Sequence, residues 1–199
     1  DEVPSRGLGD VYKRQADVYK DKKLPIYASN LCTEIMLPSD HKWSFVCVLS
    51  SINVLHYDKW KDTDAVETMI YFLDAVITEF LEKLERYKNS KNLDDQQTFL
   101  FMERAYNFSK DNRALGMGAL GWHSLLQSKM LPFDSQEAYN LNSEVFKLIQ
   151  KRSNVASKHL AEKFGEPERS KVMEEGIQPS MQSLQLHHLH LYWVKYLKV

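Results

Sequence analysis

The chain has 199 residues, 43% of them apolar and 27% charged, enough for a sizeable core in a globular fold. Lys and Arg (26) almost balance Asp and Glu (27), which argues against a general nucleic-acid binder with its basic excess. No apolar run is long enough to cross a bilayer and no basic-then-apolar leader opens the chain, so neither a membrane span nor export is expected.

Residues 1–15 are set apart from the rest of the chain: Pro4, Gly7 and Gly9 sit among scattered charge with no periodicity. This stretch is read as an extraneous leader, although Asp-Val-Tyr-Lys occurs both at 10–13 and at 17–20. Residues 26–37 carry β-branched residues up to Pro38 and read as an extended strand or loop. Residues 43–55 are rich in Val, Ile and Phe and predict a buried strand.

The strongest helix signal covers residues 62–87. Asp62 or Thr63 can cap it, Asp64 and Glu67 suit its N-terminal dipole, and Val66, Ile70, Leu73, Ile77, Phe80, Leu81 and Leu84 line one face. Residues 88–97 are polar and predict a solvated loop. A short helix is expected over 98–108 and another from Arg113 to about Lys129. After Pro132, Asp134 and Glu137 form a capping-box-like start to a long helix over 136–164, with Gly165 and Pro167 placed to end it. From Gly176 the character changes: residues 176–199 contain no acid and no clear period.

The cysteines are Cys32 and Cys47, which in a chain without export signals read as reduced, cytoplasmic thiols. In an extended chain, Asn30, Cys32 and Glu34 point to one side. That face presents an amide, a thiol and a carboxylate, a set able to bind a hydroxyl, exchange a hydrogen atom and accept a proton. The plainer reading is a half-buried strand with a polar face and a cysteine that only packs.

The segment Asn30-Leu31-Cys32-Thr33-Glu34-Ile35 resembles the Asn-x-Cys-x-Glu signature of ribonucleotide reductase large subunits. Phe45-Val46-Cys47-Val48-Leu49-Ser50-Ser51 is similar to that family's next strand, which carries a redox cysteine. Arg113-Ala114-Leu115-Gly116-Met117-Gly118 resembles its Arg-x-Leu-Gly-x-Gly segment. The signatures stand in family order, and the resemblance runs from about Leu24 to about Glu175.

The resemblance implies an α/β fold: a fragment of the family's ten-stranded barrel, dominated by long helices, with residues 16–175 as a partial catalytic domain. It implies that Cys32 carries a thiyl radical that removes the 3′ hydrogen of a ribose. Glu34 would be the base on the 3′ hydroxyl, Asn30 would orient the sugar hydroxyls, and Cys47 would be one of two thiols that become a disulfide. No cofactor or metal is expected on this chain. A separate small (β) subunit containing a metal would supply the radical, and ATP or deoxynucleotide effectors would bind elsewhere. A ribonucleoside diphosphate substrate, thioredoxin or glutaredoxin as reductant and a homodimeric full-length enzyme are also implied. Cys47's partner and the radical-relay tyrosines fall outside this stretch of the family, so the chain alone is expected to be inactive.

The family continues with Ala-Pro-Thr-x-Ser after the long helix, and residues 176–199 lack it. Plausible codons for residues 179–198, read one base earlier, give TLNAITTIAPSTSLLGQVSK, so the tail is read as out of frame. Gly116-x-Gly118-x-x-Gly121 fits a dinucleotide fingerprint only in letters, because the residues before it are polar; close helix packing is expected instead. His187, His188 and His190 are not read as a metal site, since adjacent histidines rarely share one ion. Trp122 and His123 are expected to pack or cap. Two other readings stay open here: an adenosylcobalamin-dependent reductase, and a helical interaction module in which Cys32 is merely buried.

Overall fold

A computed structural model of the chain describes residue 37, residues 39–167 and the backbone of residues 191–193. In chain order the elements are strand β1 (Leu49–Asn53), a 3-10 turn (Val54–His56), helices α1 (Tyr57–Trp60), α2 (Ala65–Lys88) and α3 (Leu93–Asn112), strand β2 (Leu115–Leu120), helices α4 (Trp122–Ser128) and α5 (Gln136–Phe164), and strand β3 (Leu191–Trp193). The strands form a three-stranded parallel sheet in the order β1-β2-β3. Leu49 pairs with Gly116 and Asn53 with Leu120, while Leu115 pairs with Leu191. β3 therefore lies within residues 176–199.

The α/β expectation holds, with helices dominating. Ile52, Leu115 and Met117 of the sheet join Val66, Ile70, Leu73 and Ile77 of α2 and Val145, Ile149, Ala156 and Leu160 of α5 in the main core. The α2 stripe keeps the helical period, which is why that helix was legible. Phe80 and Leu81, also on the expected face, are half-buried and pack with Leu84, Phe99 and Tyr106 at the α2–α3 contact. Among the described residues no helix is long and apolar enough to cross a membrane.

Several boundaries differ from expectation. α2 starts at Ala65 rather than 62, because Thr63 closes the preceding turn: its hydroxyl donates to Trp60 O at 2.8 Å and accepts from Ala65 N–H at 3.3 Å. The loop expected over 88–97 shrinks to 89–92. Asn92 caps α3 by accepting from Asp94 N–H at 2.8 Å, and Asp94 and Asp95 occupy its dipole-favoured first turn. Polar residues read as loop are thus a cap and a first turn, and the short helix expected over 98–108 spans 20 residues.

The helix expected over 113–129 is the main correction. Residues 115–120 form β2, which is buried from Leu115 to Gly118, and only residues 122–128 are helical. The alternation of Leu115 and Met117 with Gly116 and Gly118 is a strand period that the small residues disguised. The strand expected over 43–55 is regular only from Leu49 to Asn53, because the residues before it are tied to α3. Helix α5 matches its expected bounds; its cap is Ser135, which accepts from Ala138 N–H at 3.1 Å, rather than Asp134. Gly165 ends it with φ 84°.

Candidate active site

Asn30, Cys32 and Glu34 lie outside the described residues, as do His187, His188 and His190. Cys47 is described, and it is exposed just before β1. Side chains alternate along this strand. Ile52 joins the core beneath the helices and Val48 packs against it, whereas Cys47, Leu49 and Ser51 are exposed on the other face. Cys47 therefore sits on the sheet face that the helices among the described residues leave uncovered.

The glycines of β2 share that face. A Cβ at Gly116 would lie 2.9 Å from Leu49 Cδ1, and one at Gly118 would lie 2.6 Å from Ser51 Oγ. Gly121 has φ +81°, and a Cβ there would lie 2.5 Å from Asn53 Oδ1. These glycines serve close approach, as expected, but between strands rather than helices. Trp122 packs half-buried against the main core beside Phe146, and His123 is exposed. Among the described residues no cluster of His, Cys, Asp or Glu has the grouping of a metal site.

Both flanks of Cys47 are anchored. Upstream, Trp43 is buried with Leu37, Phe108 and Ala114, and its Nε1–H donates to Asp111 Oδ2 at 2.9 Å. Asp40 Oδ1 accepts from the backbone N–H of Lys42 and of Trp43 at 2.7 and 2.8 Å, which bends the chain into this seat. Ser44 N–H donates to Arg104 O at 3.1 Å. Downstream, Val48 O accepts from Gly116 N–H at 2.8 Å.

The turn between α3 and β2 is made by Arg113 in the left-handed conformation, φ 42° and ψ 48°. Its guanidinium donates to Asp74 Oδ1 from Nη2 at 2.6 Å and from Nε at 2.9 Å, and to Thr78 Oγ1 at 2.7 Å. The side chains of Arg113 and Asp74 are only 16% and 8% exposed, so this ion pair is largely dry.

A family model described as "Ribonucleotide reductase, barrel domain" matches residues 12–188. The chain belongs to this ribonucleotide reductase family. It is similar to a protein of Frog virus 3 (isolate Goorha), provisionally named ribonucleoside-diphosphate reductase large subunit, with 36% identity over 83% of this chain and 26% of that protein. It is also similar to the ribonucleoside-diphosphate reductase large subunit of Invertebrate iridescent virus 6, with 36% identity over 69% of this chain and 13% of the relative. Among solved structures, the Actinobacillus ureae class Id ribonucleotide reductase alpha subunit superposes with a TM-score of 0.69 and 47% identity, over 82% of this chain and 29% of that one. The chain thus spans under a third of the length of these relatives. Membership sets aside the reading as a helical interaction module outside this family.

Within the reductase family fold, sequence reasoning found Cys47 and the Arg113 segment but missed Asp74, Asp111 and Trp43. A signal for Asp74 was present. It falls among Ile70, Leu73 and Ile77 on the apolar face of α2, where a buried acid requires a cationic partner. For Asp111 and Trp43 there was none, because 68 residues separate them.

Proposed function

We propose that this chain is part of the catalytic barrel of a ribonucleoside-diphosphate reductase large subunit, which reduces ribonucleotides to deoxyribonucleotides. The observation that carries the reading is the family match over residues 12–188, a span that contains Cys32 and Cys47, together with the exposure of Cys47 just before β1, on the face that the described helices leave uncovered. The substrate is a ribonucleoside diphosphate. A small metal-containing β subunit supplies the radical, thioredoxin or glutaredoxin restores the thiols, and the complete large subunit is a dimer.

In this reading the thiyl on Cys32 takes the 3′ hydrogen atom and becomes a thiol, while Glu34 takes the 3′ hydroxyl proton. Asn30 holds the sugar hydroxyls. The 2′ hydroxyl leaves as water. Cys47 and a second thiol outside this chain supply two electrons and two protons and close to a disulfide. Cys32 then returns its hydrogen to the 3′ carbon and Glu34 its proton, so the products are deoxynucleotide, water and disulfide. A radical abstracts a C–H hydrogen that no acid or base removes at neutral pH, and the step must be kept from solvent.

The test is the complete large subunit carrying this segment, assayed with its small subunit and a ribonucleoside diphosphate. Cys32→Ser abolishes turnover. Cys47→Ser abolishes turnover that draws on thioredoxin. Full activity of Cys32→Ser would remove the reading. The family match reaches into both ends, from residue 12 to residue 188; we nonetheless propose that residues 1–15 are extraneous and residues 176–199 out of frame, and the coding DNA read in all frames tests that.

A further inference from the structure

We propose that the corner at the end of α3, residues 111–113, is a positioning device for the Cys47 thiol, with Arg113 as the residue that sets it. The proposal rests on the reading of Cys47 as a reducing thiol. Two independent attachments bracket this corner, one at Asp111 within it and one at Gly116 in the strand that follows. Trp43, upstream of Cys47, hangs from Asp111 by its indole N–H at 2.9 Å. Val48, directly after Cys47, receives the Gly116 N–H at 2.8 Å, the first rung between β1 and β2. Both flanks of the thiol are therefore held by a few consecutive residues.

The corner uses a residue that its backbone does not favour. Left-handed dihedrals at a helix end call for Gly or Asn, since Cβ of other residues crowds the carbonyl oxygen. Arg113 occupies φ 42° because its side chain is engaged. The guanidinium fork holds the carboxylate and backbone oxygen of Asp74 and the hydroxyl of Thr78, the longest of these bonds being 3.2 Å. α2 thus fixes where β2 begins, and β2 fixes the register of β1. A slip of one residue would turn Cys47 onto the helix face. Lysine cannot substitute, because an ammonium is a point charge without the planar fork.

Arg113 acts through the backbone, so its loss should impair the dithiol step and leave substrate binding alone. The experiment compares Arg113→Lys with the parent in the complete large subunit, assayed with its small subunit. Since small displacements of reacting groups carry large kinetic penalties, kcat should fall about tenfold while KM stays within about twofold. The rate of disulfide formation at Cys47 in a single turnover without external reductant should fall in parallel with kcat. A nitroxide on Cys47 should give a more mobile spectrum in the variant than in the parent. If Arg113→Lys does not fold, Asp111→Ala removes the acceptor of the Trp43 indole N–H while leaving the buried ring in place, and should lower kcat by about threefold, with KM again unchanged. A folded variant with parental kcat and an unchanged nitroxide spectrum would overturn the proposal. Failure of the enzymatic reading shows separately, as a parent that reduces no nucleotide, and the nitroxide comparison still decides the positioning claim.

Discussion

Tyr106 on α3 donates its hydroxyl hydrogen to the Glu85 carboxylate on α2, tying together two antiparallel helices at a point where Phe99 stacks edge-on against the tyrosine ring. Burial first, then the hydrogen bond to Glu85 and its negative charge, together push the Tyr106 hydroxyl from its usual 10.0 up to about 12. Tyr57, buried and bonded to Glu144 at 2.8 Å, is pushed higher still by burial and then by that carboxylate. Tyr71 is raised by burial and then by Glu67. A raised pKa in the folded state means that unfolded tyrosines ionise first. Stability is thus fully present below pH 10.0 and lost as pH rises through about 12. Denaturation midpoints measured at rising alkaline pH should fall over this window. In Tyr106→Phe the fall should be shallower, because one coupled ionisation has been removed.

The same pair predicts an acid-side effect. Glu85 is held below the usual carboxylate range, first by the Tyr106 hydroxyl and further by Lys88 and Asn89. Its sign is opposite: the contribution is present above the ordinary glutamate range and fades as pH falls through the lowered value. In Tyr106→Phe the Glu85 carboxyl should titrate closer to the ordinary value. Carbon-13 chemical shifts of that carboxyl, tracked from neutral to acid pH, check the change. An unmoved titration would mean that Lys88, Asn89 and Lys110 hold it down without the tyrosine.

Asp74→Ala should be strongly destabilising. It leaves the Arg113 guanidinium largely buried without its anion, and removing one partner of a buried ion pair costs about 3 kcal/mol or more. Asp58→Ala offers a control. Asp58 pairs with Lys129 at 2.7 Å and Lys61 at 3.3 Å, but its side chain is 57% exposed, and such pairs contribute about 0–1 kcal/mol. Urea unfolding of both variants should separate them clearly, and equal losses would refute the burial argument.

How far the sequence was legible depends on the range of each interaction. α2 and α5 were readable because their apolar residues recur at helical spacing and each buries one long face. β2 was not, because Gly116 and Gly118 owe their places to Leu49 and Ser51, more than sixty residues earlier in the chain. Read alone, Leu115 to Leu126 looks like a helix with small residues; only the partner strand explains the glycines. At the candidate site, Cys47 was visible as chemistry, but its seat on Asp111 and Gly116 was not, since neither contact leaves a local pattern. The cap of α5 was misplaced by one residue for a smaller reason. Asp134 and Ser135 are both good caps, and only the geometry selects Ser135.

That choice is testable by a pair of alanine substitutions. Ser135→Ala removes the acceptor of Ala138 N–H and should cost about 1 kcal/mol, whereas Asp134→Ala, one residue outside the cap, should stay within about 0.5 kcal/mol. Thermal denaturation of the two variants decides it. If Asp134→Ala proves the costlier, the helix begins one residue earlier in solution.

Gly121 and Gly165 need glycine for different reasons, crowding at the first and backbone conformation at the second. Both have positive φ, +81° and +84°, so alanine is strained at either position. At Gly165 a new Cβ meets nothing within 4 Å, and the end of α5 can fray to relieve the backbone. At Gly121 the same atom would lie 2.5 Å from Asn53 Oδ1 and 3.3 Å from Leu55 Cβ. That oxygen accepts from Leu55 N–H at 3.1 Å, so moving it also breaks the cap of the turn after β1. Gly165→Ala, at ψ 168° where essentially only glycine is found, should cost about 1–3 kcal/mol from the backbone alone, and Gly121→Ala, left-handed at ψ 15° and crowded, about 2–3 kcal/mol. Asn53→Ala in the Gly121→Ala background should recover part of the loss by removing the clashing oxygen. If the double variant is destabilised by the plain sum of the two single changes, the close approach of Gly121 to β1 is not what requires glycine there.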